Sequence, residues 1–219
     1  MTDRPVSEGP VTDRPRIAVL GAGHVGPILA RLAVEAGYLV TIAASGDPDA
    51  IALLTSVLAP GAEPKWRHAA IADADVVVLA MPLHRFLDLD PAPLAGKVVI
   101  DAMNYWPPVN GDLPEFDDPD RTSSEVVQDR LPGTRVVKTF NHIGYHELDQ
   151  DARPRGGPGR RALGVAGDDP AAVALVADLV DAVGFDPVPL TGLAAGRVLQ
   201  PGGPAFGAPL TREPLGDLV

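Results

Sequence analysis

The sequence predicts an α/β chain: a doubly wound, mostly parallel sheet with a smaller C-terminal portion. Three observations predict it. Residues 16–26, R-I-A-V-L-G-A-G-H-V-G, run from a short apolar segment straight into G-x-G-x-x-G and then into a helical pattern. The strand candidates are solid apolar runs such as Val76-Val77-Val78-Leu79, and a strand without alternation is one buried on both faces, as in a parallel sheet covered by helices. Between these runs lie segments with apolar residues at three- and four-residue spacing. The combination is that of a Rossmann-type, NAD(P)-binding fold.

Residues 1–15 carry Thr-Asp-Arg-Pro twice, at Thr2–Pro5 and Thr12–Pro15, without apolar periodicity, and read as a disordered leader. Strand 16–20 leads to helix 25–36, where Ile28, Leu29, Leu32 and Ala33 form the apolar stripe and Gly37 is the C-cap. Strand 38–43 is followed by helix 48–58, with Asp47 as N-cap and Pro48 at the first helical position. A short strand near Lys65-Trp66, a helical turn at Ala69–Ala74, strand Asp75–Ala80, helix 84–95 and strand Lys97–Asp101 come next. The Pro- and acid-rich stretch from Pro107 to Asp120 is long enough to be functional or mobile. Helix Ser123–Arg130, strand 135–139, a turn and short helix at Asn141–Leu148, and a basic Gly/Pro segment Arg153–Arg161 follow. Strand Ala162–Ala166, helix Pro170–Val183, strand Phe185–Pro189 and a helical stretch at 191–199 complete the pattern. The chain thus divides into a leader (1–15), a dinucleotide-binding portion (16–134), an acceptor-side portion (135–200) and an irregular tail (201–219).

The 219 residues carry a formal charge of −11, which argues against nucleic acid or an anionic membrane as partner, since both need a basic field. No cysteine is present, so disulfides and thiolate metal sites are excluded. No apolar run reaches the roughly 18 residues of a membrane span, and Asp3, Glu8 and Asp13 stand where a signal core would be apolar. The expectation is a soluble cytoplasmic protein with small-molecule ligands. The apolar Val183–Leu199 region is too short to cover itself and predicts a homodimer formed by residues after about Ala171. There is no G-x-S-x-G for a hydrolase. His142 and His146 stand four apart beside Glu147, but a turn at Gly144 crosses the pair, so no metal site is expected.

In such a sheet ligands sit outside the carboxyl ends of the strands. At the first end, Gly21 allows the tight turn, Gly23 lets backbone approach a pyrophosphate and Gly26 lets the helix pack closely, with Ala22, His24 and Val25 completing the anion-binding helix start. At the second end Ala44 and Ser45 occupy the place where an NAD site would put an acid about 20 residues past the glycines. Ser45 and neighbouring N–H groups can take a 2′-phosphate, favouring NADP with NAD still open, although Asp47 lies close. Ala80, Met81, Pro82 and Leu83 read either as an apolar ledge for the nicotinamide ribose or as a Pro-initiated turn. Ala102 and Met103 are further cofactor-binding candidates, and the acceptor site is placed between the Met81–Leu83 lip, the Asn104–Trp106 loop and the turn Asn141-His142-Ile143-Gly144. Within that turn Asn141 and His142 are the catalytic candidates; His142 is either a proton donor or an exposed turn histidine. Arg153, Arg155, Arg160 and Arg161 either hold an acidic cofactor tail or form a solvated hairpin.

The fingerprint, Asp101–Trp106, Val136-Val137-Lys138-Thr139-Phe140-Asn141-His142-Ile143-Gly144 and Val165-Ala166-Gly167-Asp168-Asp169 together resemble the NADPH-dependent F420 reductase family, from about Arg16 to Leu199. The resemblance implies hydride transfer between NADP and the deazaflavin ring of coenzyme F420 as co-substrate. The family is also similar to reductase domains that feed electrons to ferric iron through a flavin. Three departures stand out. The family's Ser-Arg pair on the 2′-phosphate falls on Ala44 and Ser45, so its guanidinium is missing. Its His-Thr-Ile-Pro turn falls on Asn141–Gly144, and its closing helix is cut at Gln200-Pro201-Gly202-Gly203. Two other functions stay open: direct reduction of an imine, ketone or flavin under the Tyr105-Trp106 loop, and a non-catalytic dinucleotide sensor.

Overall fold

A computed structural model describes residues 14–218. In chain order the elements are β1 (Ile17–Leu20), α1 (Val25–Glu35), β2 (Val40–Ala43), α2 (Asp49–Leu58), β3 (Glu63–Pro64), α3 (Arg67–Asp73), β4 (Val76–Leu79), α4 (Leu83–Phe86) and β5 (Val98–Asp101). There follow α5 (Pro107–Asn110), α6 (Ser123–Arg130), β6 (Arg135–Lys138), α7 (Tyr145–Gln150), β7 (Ala162–Gly167), α8 (Pro170–Ala182), β8 (Asp186–Thr191) and α9 (Arg212–Gly216).

The strands form one eight-stranded sheet in the order β3-β2-β1-β4-β5-β6-β7-β8. All neighbours are parallel except β6 and β7. Alternate residues explain why the strands are apolar throughout. Ile17 and Val19 of β1 join the core under α1 and α8, whereas Ala18 and Leu20 join a second core with Ile71, Phe86 and Val127 on the other face. Both faces are covered, as the solid runs require.

Several expectations need correction. The sheet does not divide at residues 134 and 135, because β6 pairs with β5 from Val98↔Arg135 to Asp101↔Lys138. The expected helix 84–95 stops at Phe86, and a 3-10 turn occupies Ala92–Leu94. Pro91 disfavours helix at Asp90 before it, and the Asp90 carboxylate accepts the Ala92 N–H at 3.0 Å, a local bond competing with helix. The last stretch is 3-10 at Leu193–Leu199. The Pro- and acid-rich stretch is mostly exposed but anchored at two points: Phe116 is buried and Leu113 N–H donates to the Tyr105 hydroxyl at 3.2 Å.

Nor is the tail irregular throughout. Leu215 of α9 and Ala205 cover Val188, Leu190 and Leu199 in a third apolar cluster, and Ala162 N–H donates to Leu210 O at 2.8 Å. The Val183–Leu199 region is therefore covered within its own chain, which removes the reason for expecting a dimer through it. The leader falls outside the described residues except for its end, where the Arg14 guanidinium lies 5.1 Å from the centre of the Tyr38 ring. Among the described residues, no helix is long and apolar enough to cross a membrane.

Candidate functional site

The order of strands reverses between β1 and β4, and the crevice beyond their carboxyl ends is where an open α/β sheet takes its ligand. The glycine loop sits there. Gly21 has φ +133°, and a Cβ on it would stand 2.2 Å from Ala80 O. A Cβ on Gly26 would stand 1.8 Å from Gly21 O. Packing alone demands glycine at both positions. Around Gly23, by contrast, no described atom other than those of its chain neighbours lies within 4 Å of where a Cβ would be, so the fold does not need glycine there. The first turn of α1 contains no acid, and His24 before it makes no side-chain cap. Its N–H groups are left for an anion.

A cleft of about 330 Å³ opens at this point. Its walls are the glycine loop from Gly21 to Gly23, the end of β2 from Ala43 to Ser45, and Ala80 to Pro82 after β4. The structure thus brings together three strand ends that sequence reasoning had singled out. It adds two side chains that reasoning missed, Arg67 and Arg85. No motif marks them. Arg67 opens α3 just beyond the end of β3, and Arg85 lies on α4 just beyond β4, so the topology alone carries both to the carboxyl edge. Leu83 does not share the ledge: it is 1% exposed and packs with Phe86 in the core. Asp47 turns onto its own helix, its carboxylate accepting the Asp49 N–H at 2.9 Å.

Beyond β5 lies a buried charged network. Asp101 accepts from Ser124 Oγ at 2.7 Å and Lys138 Nζ at 3.1 Å on one oxygen, and from the Met103 N–H at 2.9 Å on the other. Lys138 also donates to Met103 O at 2.5 Å. Burial pushes the Lys138 ammonium below the usual lysine range, against the pull of Asp101. The network clamps the backbone at Met103, so Ala102 and Met103 are buried and only Asn104 onward reaches the rim.

The turn after β6 differs most from expectation. Phe140 is buried with φ 62°, a left-handed conformation uncommon outside glycine, and the kink carries Asn141, His142 and Ile143 inward. Asn141 Nδ2 donates to Asn104 Oδ1 at 3.0 Å and to Leu199 O at 2.6 Å. His142 is 2% exposed, its Nε2 accepting the Gly164 N–H at 3.2 Å. Burial, with Arg161 and Lys138 nearby, lowers its pKa to about 3. It is a neutral internal acceptor, neither an exposed turn residue nor a proton donor facing the cleft. Gly144 alone of the four is exposed, where its N–H donates to Glu147 Oε2 at 3.0 Å. Next to it Tyr145 stacks on His24 of the glycine loop, ring centres 4.7 Å apart, a contact that motif reading does not reveal.

The basic segment is also reassigned. Arg160 pairs with Asp181 at 2.7 Å and Asp186 at 2.6 Å, and Arg161 with Asp151 at 3.1 Å and Glu147 at 3.3 Å, both guanidiniums buried. Arg155 is paired with Asp181 as well. Arg160 and Arg161 thus hold the chain together from inside, whereas Arg153 and Arg155 are solvent-exposed.

Residues 16–105 match the family described as NADP oxidoreductase, coenzyme F420-dependent. Among solved structures, the hypothetical protein SMa0349 of Sinorhizobium meliloti is 32% identical with a TM-score of 0.79, the match covering 92% of this chain and 98% of that one. A protein of Arthrobacter sp. FB24, provisionally assigned as an F420-dependent NADP reductase, is 28% identical with a TM-score of 0.69 over 84% of this chain and 87% of that one. The metalloreductase STEAP3 of Rattus norvegicus is 25% identical over 190 residues, 86% of this chain; the chain spans only 36% of that relative's length. The imine reductase from Pseudomonas sp., 17% identical with a TM-score of 0.59 over 84% of this chain and 57% of that one, shares the fold.

Proposed function

We propose, on the premise that this chain belongs to the family of coenzyme F420-dependent NADP oxidoreductases, that it passes a hydride between NADPH and a deazaflavin acceptor. The observation that carries the nucleotide half is the contrast among the glycines: packing accounts for Gly21 and Gly26, whereas open space at Gly23 is accounted for by a bound pyrophosphate. The nicotinamide and the acceptor ring supply the redox chemistry when bound, and the chain supplies binding and orientation. Gly21 to Gly23 and the start of α1 hold the pyrophosphate. Ala44 and Ser45 border the adenosine ribose. Ala80, Met81 and Pro82 form the ledge that keeps water from one side of the reacting ring. Asn104, fixed by Asn141, and Gly144 border the acceptor side. Because His142 is buried, the proton taken up with the hydride comes from solvent in this reading.

A second reading, direct reduction of a flavin or an imine, draws on the similarity to a metalloreductase and on the exposed indole of Trp106 at the rim. NADPH oxidation followed by stopped flow with a deazaflavin, with FMN, with a cyclic imine and with no acceptor separates the readings. Turnover with the deazaflavin alone supports the first, turnover with FMN or imine the second. Tight NADPH binding without turnover makes the chain a dinucleotide sensor.

A further inference from the structure

We infer that Arg67 and Arg85 read the ribose 2′-phosphate of NADP, supplying from α3 and α4 the cation that the end of β2 lacks. The inference rests on the reading of the cleft as the NADP(H) site. Both side chains line that cleft together with Ser45. Neither makes a hydrogen bond or ion pair through its side chain to any described residue, although the chain carries 29 acidic residues against 18 lysines and arginines. Arg31, Arg121, Arg130, Arg155, Arg160 and Arg161, by contrast, each meet a carboxylate. Two guanidiniums left without carboxylates beside one cleft of an acidic protein make a local anion site.

Their placement follows from the topology. α3 enters β4 and α4 leaves it, and β4 lies beside β1, with β2 on the far side of β1. Both arginines therefore stand at the same edge as the β2 end that receives the adenosine ribose. Asp47, the acid nearest to Ser45 in the chain, is held by its own helix and is not part of the cleft wall. A guanidinium donates to phosphate through a planar fork, which gives geometry as well as charge. Ser45 contributes one hydroxyl.

The test measures affinity for NADPH and NADH by nicotinamide fluorescence, and for 2′,5′-ADP and 5′-AMP by calorimetry, so no acceptor or turnover is involved. The variants are Arg67→Gln, Arg85→Gln and the double substitution, with Arg212→Gln on α9 as a charge control. Wild type is expected to favour NADPH over NADH. Each single variant should lose about tenfold in NADPH and 2′,5′-ADP affinity, and the double at least about 30-fold, with NADH and 5′-AMP shifted less than about threefold. The salt dependence of NADPH binding should flatten in the double variant. An unchanged NADPH to NADH ratio in the double variant overturns the inference, as does an equal loss for both nucleotides or a wild type that binds NADH as tightly. If wild type binds NADPH through these arginines yet reduces no deazaflavin, the acceptor reading fails and this assignment stands; if it binds neither nucleotide, both fall.

Discussion

Asn104 and Asn141 hold each other across two strand ends: Asn104 Nδ2 donates to Asn141 O at 2.7 Å, and Asn141 Nδ2 donates to Asn104 Oδ1 at 3.0 Å. They lie 37 residues apart, and the exchange ties the rim loop after β5 to the turn after β6. Asn141→Leu should cost about 2–3 kcal/mol, because the buried Leu199 carbonyl and the Asn104 amide each lose a partner. Equilibrium urea unfolding measures it; a loss below about 0.5 kcal/mol would show the pair to be incidental.

Substitution in the glycine loop should separate binding from folding. Gly23→Val is expected to abolish NADPH binding in a protein that melts like wild type, since the side chain enters space no described atom fills. Gly21→Val should fail to fold, because its Cβ would collide with Ala80 O. Calorimetry and circular dichroism on both variants check the contrast, and full affinity in Gly23→Val would remove the nucleotide reading.

His142 makes stability fall in acid. Its folded pKa of about 3 lies below the usual 6.5, so the unfolded chain binds this proton more readily. Its contribution is complete above pH 6.5 and is lost as pH falls toward 3, at up to about 1.4 kcal/mol per pH unit. In His142→Gln that part of the slope should vanish, leaving a shallower decline between pH 6.5 and 4 in urea melts. Parallel slopes in the two proteins would show that other groups govern acid unfolding.

Lys138 and Asp101 are both buried, and removing one partner strands the other. Lys138→Met should destabilise by about 3–5 kcal/mol, whereas Lys138→Met with Asp101→Asn should recover part of that loss. A double-mutant cycle in denaturant gives the coupling, and strict additivity would contradict it.

Gly144→Phe addresses the acceptor half. The nearest atom to its Cβ is Glu147 Oε2 at 3.0 Å, the far end of a flexible side chain, so the fold should tolerate the ring. Deazaflavin-dependent turnover is expected to fall by at least about tenfold while NADPH affinity holds within threefold. Normal turnover would move the acceptor away from α7.

The glycine turn after β1 was legible because its signal is local. G-x-G-x-x-G after an apolar run marks a tight strand-to-helix turn within six residues, and Val76 to Leu79 announce burial on both faces by residue type alone. The turn after β6 was not legible. Asn141-His142-Ile143-Gly144 looks like any polar turn, and only the left-handed Phe140, invisible in a residue letter, turns three of the four inward.

By itself, then, the sequence determined the alternation of strands and helices, the two-sided burial of the sheet and the position of the glycine turn, all set by spacing and side-chain character over a few residues. Tertiary structure decided what distant partners meet. A solid apolar run reads the same in either direction, so the antiparallel β7 came only from its pairing with β6. His142 became an internal acceptor because Gly164 N–H, 22 residues on, points at it, and Arg160 became structural because Asp181 and Asp186 come to meet it. Arg67 and Arg85 reached the cleft because two crossovers begin at one edge of the sheet. Charge and hydrogen-bonding capacity belong to a residue, but the group that satisfies them is chosen by packing across the chain.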